Sequence, residues 1–115
     1  MNHKDLELWK RSMELAKAVY EMTAAFPSTE VYGLTSQMRR LAVSIPSNIA
    51  EEAARNSDKE FIQFLYIALG SAAELETQYI LAKELGFTSS SAQVEKGVET
   101  VRMMTAGLIK HLKNK

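Results

Sequence analysis

The chain has 115 residues, the length of one domain, and is large enough to fold around its own core without staples. Lys plus Arg and Asp plus Glu total 14 each, so the formal net charge is zero, without the basic excess that drives most nucleic-acid binding. There is no cysteine, which excludes disulfides and thiolate metal sites and fits a reducing compartment. The opening Met1-Asn-His-Lys-Asp5 runs directly into an amphipathic pattern, with no apolar stretch of the secretory kind before it. The most apolar segment, Phe61 to Gly70, is interrupted by Gln63 and falls short of a bilayer span. The expectation is a soluble cytoplasmic protein with no membrane partner, folded as a single domain over residues 1–115.

Four helical blocks follow in chain order. The first spans Lys4 to Ala25, with one seam at Leu6, Trp9, Met13, Ala16 and Tyr20 and a second at Leu8, Leu15, Val19, Met22 and Phe26. Pro27 and Ser28 end it, because proline pushes the preceding residue out of helical geometry. Ser28 to Gly33 is a connection. The second block spans Leu34 to Arg55 and holds Pro46 in its interior, where the ring deletes a backbone bond at a cost of roughly 3 kcal/mol. Because the pattern continues on both sides, the proline predicts a kink. Ser44, Ser47 and Asn48 are candidate donors to the freed Ala42 carbonyl.

The third block opens with the capping-box sequence Ser57-Asp-Lys-Glu60 and runs through Leu85 to Gly86, a common residue just past a helix end. Ser89, Ser90 or Ser91 caps the fourth block, which reaches Lys113 along the seam Val94, Val98, Val101, Thr105, Leu108 and Leu112. Beyond Glu99 the only charges are basic, in Arg102, Lys110, Lys113 and Lys115, with His111 between them. They complement the dipole of the last helix. β-branched residues do not alternate, so the predicted fold is all-α, an antiparallel up-down-up-down four-helix bundle with a proline kink in the second helix.

The stretch Phe61-Ile-Gln-Phe-Leu-Tyr-Ile-Ala-Leu69 is apolar nearly all the way round its helix. A helix on the outside of a lone bundle needs a polar side. Ile62, Tyr66, Leu69, Phe64 and Ile67 are therefore candidates for an interface between copies. Trp9, Met22, Met38, Met103 and Met104 read as core filling.

Gln37, Arg40, Ser44, Asn48, Glu51 and Arg55 recur at helical spacing on one side of the second block, and Ser71, Glu74 and Gln78 do the same on the third. Such a stripe is either a solvated surface or a polar network between helices. The expected structural network is Gln37, Arg40, Ser44, Asn48, Glu51, Ser71 and Glu74, with Arg40 and Glu74 able to pair, and Gly70 allowing close backbone approach. No catalytic or cofactor motif occurs, and no small-molecule substrate is indicated. The only histidines, His3 and His111, lie near the ends and neither follows a glutamate by three residues, so a carboxylate-bridged metal site is not expected. A bundle enzyme centred on Glu74 is a distant alternative.

The combined pattern Leu34…Gln37-Met-Arg-Arg40…Ser44-Ile-Pro-Ser-Asn48-Ile-Ala-Glu51, then Phe61…Phe64…Gly70-Ser71…Glu74-Leu-Glu76, preceded by Leu8-Trp9-Lys10, covers nearly the whole chain. It resembles the small four-helix-bundle proteins encoded in intervening sequences of bacterial 23S rRNA genes. The resemblance implies a non-enzymatic bundle that forms a ring-shaped homopentamer and serves as an interaction or assembly protein. A related branch, accessory proteins of diversity-generating retroelements, is basic and implies the alternative of a nucleic-acid-binding subunit partnering a reverse transcriptase or another RNA-handling protein. For that role Lys10, Arg11, Lys17, Arg39 and Arg55 are the candidate contacts. Glu52 stands where the family usually has glycine.

Overall fold

The computed structural model describes residues 2–115. Four long helices make up the fold: α1 (Glu7–Thr23), α2 (Leu34–Arg55), α3 (Asp58–Glu84) and α4 (Ala92–Lys113). Single 3-10 turns at His3–Asp5 and Ser28–Glu30 precede α1 and α2. Among the described residues there is no strand.

The helix boundaries follow from the caps. α1 starts later than its hydrophobic pattern, because Asn2 accepts a bond from the Lys4 N–H and the backbone at Leu6 is extended, which separates the 3-10 turn from the helix. At the start of α2, Glu30 Oε1 accepts from the Leu34 N–H at 3.1 Å, a cap that the sequence pattern did not disclose. α2 then continues on both sides of the buried Pro46 to Asn56, which is left-handed at φ 59°. Ser44 donates to the Leu41 carbonyl at 2.8 Å, one residue away from the carbonyl that proline frees.

Ser57 caps α3 by accepting from the Glu60 N–H at 3.3 Å, and Glu60 turns toward Arg55. At its far end Gly86 N–H donates to the Lys83 carbonyl and Phe87 N–H to the Ala82 carbonyl, with Gly86 at φ 77°. That is the Schellman arrangement, which needs a residue tolerant of positive φ. Phe87 is thereby carried onto Phe26, ring centroids 5.8 Å apart. Of the three candidate serines, Ser91 caps α4.

α1 packs on α2 and α4, and α3 packs on α2 and α4, while the diagonal pairs make no close backbone approach. The result is a four-sided bundle of 46 × 20 × 20 Å. Side-chain pairs between α3 and α4 close in reverse order along the chain: Tyr79 with Glu95, Glu76 with Arg102, Tyr66 with Lys113 and Asp58 with Lys115.

Of the two seams of α1, the one through Leu8, Leu15, Val19 and Phe26 enters the core. Met38, Ile45, Ile49, Leu65, Leu75, Val94, Val98 and Val101 complete it. Ala42, Ala68, Ala72 and Ala82 are also fully buried, and their small side chains let the helices approach. Gly97 serves the same purpose, since a Cβ there would stand 3.0 Å from Leu15 Cδ1. On α4 the seam shifts by one residue, with Ile109 inside and Leu108 half-buried. Buried hydroxyls are satisfied locally, Ser12 by the Leu8 carbonyl and Thr105 by the Val101 carbonyl.

Candidate interaction surfaces

What the bundle leaves outside is the candidate site. The single chain covers α3 more fully than its composition suggests. Phe61, Phe64, Leu65 and Ala68 are inside, and Ile62 and Leu69 are half-buried. Phe64 is thus a core residue and is not available to a partner, because it belongs to the face that points into its own bundle. Tyr66 and Ile67 do stand out, Ile67 at 65 % exposure. Met103 is 67 % exposed, which corrects its reading as core filling; Met38 is fully buried, and Trp9, Met22 and Met104 are half-buried.

The other seam of α1 leaves a second apolar surface. Met13 and Tyr20 remain 40 % and 45 % exposed, facing Val43 of α2 at 41 %. With Trp9 and Pro46 they line an open groove of about 700 Å³ between α1 and α2. His3 stacks edge-on against Trp9 at 5.1 Å and closes one end. At the other, Arg39 lies over the Tyr20 ring at 4.5 Å and donates to Thr23 Oγ1 at 2.9 Å.

The polar stripe lies on the outside of α2 and α3. Gln37, Arg40, Asn48, Glu51 and Glu74 are exposed, while Ser44 and Ser71 are half-buried. Within one copy the stripe makes one bond between helices, from Gln78 Nε2 to Gln37 Oε1 at 3.2 Å. Arg40 donates to Ser36 of its own helix at 3.1 Å and does not meet Glu74. Glu52 turns inward beside it. Its Oε2 is buried without a hydrogen-bond partner, and its Oε1 lies 3.8 Å from Arg55 Nε.

The candidate cations are mostly occupied. Lys10 meets Glu7 at 3.5 Å, and Arg11 meets Glu14 at 3.3 Å. Arg55 gathers Glu51, Glu52 and Glu60, and its guanidinium is held above its ordinary pKa mainly by the Glu51 hydrogen bond. Arg39 is spent on Tyr20 and Thr23. Of the five, Lys17 and Arg39 have no ion pair among the described residues, and Lys17 has no hydrogen bond there either.

A tighter cluster, which the sequence pattern did not signal, joins α3 to the start of α4. Tyr79 OH donates to Glu95 Oε2 at 2.5 Å and accepts from the Ser91 N–H at 2.7 Å. Lys83 lies over the Tyr79 ring at 4.9 Å and 3.5 Å from Glu95. Burial, then the Glu95 bond, pushes the Tyr79 phenol above its ordinary value, while the Tyr79 hydrogen bond, then Lys83, holds the Glu95 carboxyl below its own. The cluster pins the 85–91 connection.

The sequence model of one family, described as 23S rRNA-intervening sequence protein, matches residues 4–107. The chain belongs to that family. The match takes in α1, α2, α3 and most of α4 and therefore covers both the groove and the polar stripe. No curated protein matches the chain. Among the described residues of this family member, no group of three or more His, Asp or Glu could hold a metal ion, and no helix is long and apolar enough to cross a membrane.

Proposed function

We propose that the chain is a non-enzymatic, homo-oligomeric interaction or assembly protein, a ring of five copies in keeping with the family resemblance. The observation that supports this reading is the apolar surface one copy leaves uncovered, above all the α1–α2 groove with Met13, Tyr20 and Val43 on its walls. A contiguous exposed apolar patch on a small protein usually marks an interface. Full burial of an exposed apolar side chain contributes roughly 1.5–3 kcal/mol, and because Met13, Tyr20 and Val43 are 40 %, 45 % and 41 % exposed, a neighbour adds about half of that or less at each. Multi-angle light scattering tests the reading. The expected mass is that of several copies, five if the ring closes as in the family; one copy at every concentration would remove it.

The nucleic-acid alternative finds less support. Lys10, Arg11 and Arg55 already face carboxylates, and Arg39 packs on an aromatic ring. Retardation of RNA or DNA in low salt, weakening steeply as salt rises, is the result that would revive it.

A further inference from the structure

We propose that copies of this chain join head to tail, the α1–α2 groove of one copy receiving the α2–α3 face of the next with Ile67 at the centre of the contact. This rests on the homo-oligomer reading above and specifies which surfaces meet.

Five observations bear on this contact. The groove is apolar along its walls, at Trp9, Met13, Tyr20, Val43 and Pro46, and calls for an apolar side chain that stands clear of its own helix. Ile67 is the most exposed large apolar residue of α3. Helical spacing sets Ile67, Ser71, Glu74 and Gln78 on one stripe, and the Gln78–Gln37 bond fixes that stripe on the side of α2.

Gly70 lies in the middle of the 27-residue α3, and a Cβ there would meet nothing within 4 Å. One copy therefore supplies no steric reason for a residue that costs a helix interior about 1 kcal/mol relative to alanine. A second backbone seated beside Ile67 supplies one, as a backbone beside Met103 would for Gly107, where a Cβ likewise meets nothing within 4 Å.

The charges also match. Lys17 and Glu21 rim the groove, and Arg40 and Glu74 flank the α2–α3 face. Among the described residues none of these four takes part in an ion pair, and Arg40 bonds only the Ser36 hydroxyl. Lys17 facing Glu74 and Glu21 facing Arg40 would satisfy all four across the contact, which favours correct docking and steers encounter.

The two surfaces are unlike, so the contact is heterologous. Both include α2, so they lie on neighbouring sides of a four-sided bundle, and successive copies turn relative to one another rather than stacking in a straight line. The rival occupant of the groove is the α3–α4 face around Met103.

Full-length variants measured by light scattering separate these outcomes, with circular dichroism confirming helicity. Ile67→Glu and Met13→Glu each reduce the mass to one copy, whereas Met103→Glu keeps the wild-type mass. Mixing the Ile67→Glu and Met13→Glu proteins gives a one-to-one heterodimer, since each retains the surface the other has lost. Lys17→Glu and Glu74→Lys weaken assembly singly and restore it together. An Ile67→Glu protein of wild-type mass, a monomeric Met103→Glu protein, or a mixture that stays monomeric overturns the docking while leaving the oligomer in place. A monomeric wild type overturns both.

Discussion

Tyr79 ties α3 to the start of α4. Its hydroxyl joins α3, the backbone of Ser91 and the Glu95 carboxylate. Tyr79→Phe removes both bonds and is expected to cost about 1–2 kcal/mol, read from the denaturant midpoint. The pH dependence has two signs. Glu95 titrates below its ordinary 4.5 in the folded chain, so its contribution is present above that value and is lost as pH falls through the lowered one. Tyr79 titrates above its ordinary 10.0, so its contribution is present below that value and is lost as pH rises beyond it. Thermal melts should show the gap between wild type and Tyr79→Phe shrinking in acid, and an alkaline loss in the wild type that the variant lacks. Glu52 makes the opposite case. Its buried Oε2 has no partner, and Arg55 keeps Glu51 and Glu60 without it. Glu52→Met is expected to leave stability unchanged or raise it by about 1 kcal/mol, and a clear loss would show that its pairing with Arg55 outweighs the buried unpartnered oxygen. Neither role was legible in the sequence. Tyr79 and Glu95 are sixteen residues apart, and only the turn at Gly86 brings them together.

At the scale of elements, ends were easier to read than faces. Ser57, Gly86 and a serine before α4 are chemical signals that act within a few residues, and all three mark helix ends in the structure. Ser57→Ala should cost about 1 kcal/mol. Asn56, left-handed between α2 and α3, should gain stability when changed to glycine and lose it when changed to valine, each by about 1 kcal/mol, because only the former tolerates positive φ freely. Both are read from thermal midpoints. The faces were less certain because periodicity locates an apolar stripe without saying how wide its cover is. α1 has two apolar seams, and the pattern ranks them equally; α4 lies against one and leaves the Met13–Tyr20 seam at the surface. α3 appeared apolar all round, yet its neighbours cover Phe61, Phe64 and Leu65 fully and leave Tyr66 and Ile67 out.

For the molecule as a whole, neutrality and paired cations set the expected response to salt. Assembly through apolar faces should keep its mass as ionic strength rises, whereas an assembly held chiefly by charge would dissociate; sedimentation at low and high salt distinguishes the two. Composition, periodicity and local end signals alone determined that the chain is helical, where its helices stop and that its apolar surface is generous, because those properties are set by residues near one another along the backbone. Tertiary structure alone decided that the polar stripe lies outside with Arg40 and Glu74 apart, that Met103 faces outward and that Tyr79 meets Glu95. Those outcomes depend on how far each helix rotates about its axis when its smallest residues, Ala42, Ala68, Ala72, Ala82 and Gly97, let a neighbour in, and a one-dimensional pattern does not encode that rotation.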